Sequence, residues 1–132
     1  MSAAAGRVPV IAGVLETSTA RVVEEMMRLA LPGIAAFVVT TPYYYWGFSA
    51  GDLREHFRRV AEATDRPILA YNIPVNTHVT MKAELMLQLA SIPNIVGVKD
   101  SGGETGLRIS CSFSGSVRRG SGCSRGIRST WV

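Results

Sequence analysis

The 132-residue sequence predicts an α/β fold on parallel strands, part of a (β/α)8 barrel, and three observations lead to it. Four apolar, β-rich runs recur with centres roughly 30 residues apart, the spacing of strand–helix–strand units. Three amphipathic helical patterns separate them. The polar and aromatic stretches "TTPYYYWGF", "YNIPVNT" and "KDSGG" all fall at the carboxyl ends of the runs, where barrel enzymes keep their chemistry.

The first run is "VPVIAGV" (8–14), followed by a helix opening near Ser18 or Thr19. Its apolar stripe is Val22, Val23, Met26, Met27, Leu29 and Ala30, with Glu24, Glu25 and Arg28 outside it, and "LPG" stops it. "IAAFVVT" (34–40) is the second run. Ser49 then caps a second helix, with Asp52 three positions on as a shortened capping box and a stripe of Leu53, Phe57, Val60 and Ala61. The third run, "PILAY" (67–71), leads to a helix expected from Thr80, carrying Met81, Leu85, Leu89 and Ala90 before "SIPN". The fourth run is "NIVGVK" (94–99). All four are apolar on both faces, as parallel strands covered on both sides require. A doubly wound sheet would share this element order. No GxGxxG turn or GxxxxGK[ST] loop follows any run, so nucleotide binding has no support.

Charge divides the chain in two. Residues 1–104 hold nine Lys and Arg against ten Asp and Glu, whereas residues 105–132 hold five arginines and no acid. The basicity therefore belongs to a tail and not to a shaped surface, and no nucleic-acid module accompanies it. That tail has seven serines, five glycines and no helical stripe. It reads either as a flexible basic extension or, as the abrupt loss of pattern favours, as frameshifted or misjoined sequence foreign to the preceding domain. Cys111 and Cys123 both lie in it, and two cysteines so spaced form neither a disulfide framework nor a zinc site. His56 and His78 lack ligand partners at metal spacing and read as surface or packing residues. No apolar run reaches membrane-spanning length, and the start of the chain lacks an export signal, so a cytoplasmic protein with no membrane partner is expected.

Lys99 closes the fourth run, at the rim of a packed interior where desolvation favours a neutral, nucleophilic amine. Such a lysine can form an imine with a keto acid and use it as an electron sink. Tyr71 closes the third run, and neighbouring parallel strand ends lie about 5 Å apart, so its phenol could carry protons to and from that imine. Taken singly, a strand-end lysine is more often solvated, and a tyrosine more often anchors a loop. The aromatic loop, with Tyr43, Tyr44, Tyr45 and Trp46, reads equally as a pocket wall or as an interface.

With "TPYYY", "YNIPVNT" and "GVKD" in this order and spacing, residues 7–104 resemble the pyruvate-dependent class I aldolases typified by dihydrodipicolinate synthase and N-acetylneuraminate lyase. The resemblance implies a TIM barrel, of which this chain holds about strands 3 to 6, and no cofactor. It implies Lys99 as the Schiff-base lysine and Tyr71 as the proton shuttle. It implies that Tyr44 reaches across a tight dimer interface into a neighbour's relay, so that the complete enzyme would be a homo-oligomer. Tyr43, Asn72, Pro74 and Asn76 are implied as pocket residues. Asn76 stands where the synthase proper carries an arginine, and "P-x-N-T" with "KDSGG" looks more like the 4-hydroxy-2-oxoglutarate or sugar-acid aldolase branch. The family's Gly-Thr-Thr-Gly-Glu loop, which holds the keto acid's carboxylate, is absent, and the pair Thr40 and Thr41 is not it. Two expectations follow. The chain belongs to an imine-forming lyase acting on pyruvate or another 2-keto acid, or it is a truncated, inactive fragment or interaction piece of one.

Overall fold

The computed structural model describes residues 7–102. The expected change of character after Glu104, the tail 105–132 and both cysteines lie outside the described residues. The elements run β1 (Val10–Val14), α1 (Thr19–Arg28), β2 (Ile34–Thr40), α2 (Ala50–Glu62), β3 (Ile68–Asn72), α3 (Pro74–Thr77), α4 (Ala83–Leu89) and β4 (Ile95–Asp100).

The four strands form one parallel sheet in the order β1-β2-β3-β4. A doubly wound sheet reverses its order at a switch point, whereas a barrel adds each strand to the same side of the last. Uninterrupted order therefore makes this a segment of a (β/α)8 barrel. All three long helices lie on one face. Val22 and Met26 of α1, Leu53, Phe57 and Val60 of α2, and Leu85 and Leu89 of α4 share one core with Val14, Phe37, Val39, Ile68, Ala70 and Ile95 of the strands. Each large side chain buried there contributes about 1.5–3 kcal/mol.

The other face is where the sequence expectation needs correction. The runs are apolar on both sides, yet among the described residues only the helix face is covered in full. The opposite face carries the row Gly13, Val38, Leu69 and Gly97 and, one level up, Thr40, Tyr71 and Lys99. Ile11, on the same face of β1, is 46 % exposed.

Local signals explain most boundaries. Ser18 caps α1 by accepting from the Arg21 N–H. Ser49 and Asp52 form a reciprocal capping box at α2. The stripe expected for α1 is narrower than its sequence suggests, because Met27 is 64 % exposed and Ala30 is also exposed. The third helix departs further. It starts at Ala83 and not at Thr80, Lys82 occupies the cap position without a side-chain bond, and the short α3 precedes it. Lys82 is extended, and just before it the Met81 N–H donates to Asn72 Oδ1 at 3.0 Å, tying the approach to α4 to the end of β3.

Candidate active site

Chain alternation and strand register build this site. Tyr71 of β3 and Lys99 of β4 are Cα partners, so both side chains leave the sheet on the face away from the helices. The Lys99 ammonium lies over the Tyr71 ring, 3.3 Å from its centroid. Ser101, two residues beyond Lys99, accepts a long contact from Lys99 Nζ at 3.4 Å and donates another to Tyr71 Oη at 3.5 Å. Lys99 and then Ser101 hold the Tyr71 phenol below its ordinary range. A phenol so shifted gives up and regains its proton nearer neutrality, as a proton carrier must.

Asn72 and Asp100, next along the same two strands, point to the helix side and lock the strand ends together. Asn72 Nδ2 donates to Asp100 Oδ1 at 2.8 Å, while the Asn72 carbonyl accepts from the Ser101 N–H at 2.8 Å. Asp100 Oδ1 also accepts from the Gly102 N–H at 2.8 Å. A Cβ at Gly102 would stand 2.9 Å from Asn72 Nδ2, so glycine is what lets the chain pass here. Pro74 opens α3 beside this turn, and Asn76 is exposed on α3.

The aromatic loop is arranged differently. The Tyr43 hydroxyl donates to the Leu15 carbonyl at 3.3 Å, tying the loop after β2 to the end of β1. Tyr44 is 77 % exposed at φ +85°, a left-handed backbone uncommon for a bulky residue, and its ring meets Tyr45 edge-on. Trp46 packs on His78, so this loop also touches the one after β3. The structure thus brings Lys99, Tyr71 and Ser101 together on the sheet, with Asn72 behind them, and presents Tyr44 outward.

One residue at the site, Ser101, escaped the sequence argument, and His56, read there as a surface or packing residue, is a packing one. Ser101 could have been found by period two, since it follows Lys99 on the same face. His56 is buried in α2, where Nε2 meets the Thr40 carbonyl at 3.3 Å and Nδ1 meets Thr19 Oγ1 at 2.9 Å. A carbonyl only accepts, so Nε2 carries the proton and Thr19 donates to Nδ1. This neutral ring cross-ties the start of α1, α2 and the end of β2.

Burial pushes His56 down to about 4, against a smaller opposing effect of the Thr40 carbonyl. An unfolded histidine titrates near about 6.5. The unfolded chain therefore takes up the proton first as the pH falls, and stability fully present above about 6.5 is lost down to about 4, on the order of 3 kcal/mol. With these residues completed to a full barrel, urea melts with His56 and with His56→Gln between pH 7 and 4 should show that loss only with His56.

Among the described residues, no group of three or more His, Cys, Asp or Glu could hold a metal, and no helix is long and apolar enough to cross a membrane. The family model described as "Dihydrodipicolinate synthetase family" matches residues 1–120. The 4-hydroxy-tetrahydrodipicolinate synthase of Sphingopyxis alaskensis is 41 % identical over 104 residues, 79 % of this chain and 35 % of the relative. That of Nitrosospira multiformis is 44 % identical over 103 residues, 78 % of this chain and 34 % of the relative. The crystal structure of chloride-inhibited dihydrodipicolinate synthase from Acinetobacter baumannii complexed with pyruvate superposes with a TM-score of 0.73 at 36 % identity, covering 78 % of this chain and 35 % of that one. The chain thus spans about a third of the length of the relatives it matches. Parallel strands in unbroken order, a lysine and a tyrosine paired at their ends and a family match across most of the sequence agree: this chain belongs to the dihydrodipicolinate synthetase family.

Proposed function

We propose that the chain carries the imine-forming third of a lyase that makes or breaks a carbon–carbon bond next to pyruvate or another 2-keto acid. The observation that carries this is the register pair Tyr71 and Lys99, with the amine 3.3 Å from the centre of the phenol ring. Lys99 attacks the keto carbon and the carbonyl oxygen leaves as water, its proton supplied through Tyr71. The resulting imine draws electrons from the neighbouring carbon, which can then lose a proton or a carbon substituent. Tyr71, its phenol lowered by Lys99 and Ser101, takes and returns that proton. Ser101 positions the phenol. Asn72 and Pro74 shape the strand-end turn, and Tyr43 and Tyr44 form the wall and, in an assembled enzyme, the contact with a second subunit. Asn76, neutral and exposed, offers no fixed charge for a second carboxylate, which favours an uncharged aldehyde partner, as in the sugar-acid branch, over an amino-acid semialdehyde.

The bond-forming step can be read without knowing the aldehyde. Residues 7–102 are placed in the corresponding third of the Sphingopyxis alaskensis barrel, and the methyl protons of pyruvate are followed by NMR in deuterated water. Exchange that depends on Lys99 is expected, and Lys99→Arg should abolish it. Exchange equally fast in Lys99→Arg would refute the role.

A further inference from the structure

We propose that Thr40 is a third polar group of this site, a substrate-binding hydroxyl that donates to an oxygen of the keto acid held on Lys99; this rests on the imine chemistry above. Thr40 is the Cα partner of Tyr71, which is the Cα partner of Lys99, so the three residues form one row across β2, β3 and β4. Paired residues of parallel strands project to the same face, so the Thr40 side chain leaves the sheet with Tyr71 and Lys99. Two strand spacings, roughly 10 Å, separate the Thr40 and Lys99 backbones. The lysine stem and a three-carbon acid together span that distance.

The second observation is that Thr40 is fully buried and its Oγ1 has no hydrogen-bond partner among the described residues. A buried hydroxyl without a partner forfeits its hydration for nothing, and folded proteins rarely keep one without a use. Thr41 Oγ1 shares this lack but lies past the end of β2, outside the row. The Thr40 carbonyl, in contrast, is engaged by His56, which fixes the backbone from behind and leaves only the hydroxyl for a ligand. A valine would fill the same space. Threonine here thus adds one hydrogen-bond donor at the level of the reacting lysine.

The test uses residues 7–102 placed in the Sphingopyxis alaskensis barrel, as above, and compares Thr40 with Thr40→Val and Thr40→Ser, using pyruvate and borohydride to fix any imine as a stable mass on the Lys99 peptide. Trapping reads bond formation and needs neither an aldehyde nor turnover. Urea midpoints are measured in parallel. Thr40→Val should keep or raise the midpoint, since it removes an unpaired polar atom, yet label Lys99 roughly tenfold more slowly or worse. Thr40→Ser should label near the wild-type rate. Wild-type labelling in Thr40→Val would remove Thr40 from the site, and so would a lowered midpoint in Thr40→Val, because the hydroxyl would then be bonded within the protein. If the completed barrel with Thr40 unchanged fails to label at Lys99, the imine chemistry itself falls, and Thr40 with it.

Discussion

Residues 1–132 expressed alone should show no pyruvate-dependent aldol turnover and should run as assemblies larger than a monomer. β1 and β4 are the outer strands of the described sheet, and outer strands are where a sheet pairs with other chains. The face carrying Lys99 is normally filled by side-chain layers from the whole ring, and here Ile11 is 46 % exposed. Net domain stability is only about 5–15 kcal/mol, so apolar surface left open at about 25 cal/mol per Å2 takes much of it. The Gly-Thr-Thr-Gly-Glu loop that family resemblance implies for the carboxylate is absent from the sequence, and orientation of a bound reactant supplies several kcal/mol of such catalysis. Sedimentation, near-UV dichroism and a cleavage assay test this together. A monodisperse, cooperatively melting chain with measurable turnover would show that these residues form a working enzyme unaided.

In the barrel completed from a relative, Tyr71→Phe should lower turnover by about 10² or more while Lys99 still forms its imine. The phenyl ring keeps the surface under the Lys99 ammonium and loses only the hydroxyl that meets Ser101. Unchanged turnover would remove Tyr71 from the mechanism. Tyr44→Phe should also slow the reaction, and because Tyr44 is exposed it should loosen assembly as well, so sedimentation accompanies those kinetics.

Much of this was legible in the sequence, for reasons that separate local from distant effects. β2 occupies the span of its apolar run, and Ser18 and Ser49 cap where short polar side chains can bond the first turn. These are decisions within four residues. The start of α4 was not legible: the stretch before it is tied to the end of β3 by the Met81 N–H bond to Asn72, nine positions earlier, and no local pattern carries that contact. His56 falls on the stripe of Leu53, Phe57 and Val60, so its burial could be read, but its partners Thr19 and Thr40 are 37 and 16 positions away. The uncovered face was illegible for a different reason. A run apolar on both faces shows that both need covering and says nothing about which residues cover them.

Lys99 carries the whole proposal, so the most direct measurement is where pyruvate becomes attached. The completed barrel is incubated with pyruvate, reduced with borohydride, digested and analysed by mass spectrometry. Within residues 7–102 the only other lysine is Lys82, which sits exposed at the start of α4. One pyruvate-dependent adduct on the peptide containing Lys99 is the expected result. An adduct at Lys82 instead, or a segment left unlabelled at saturating pyruvate, would contradict it.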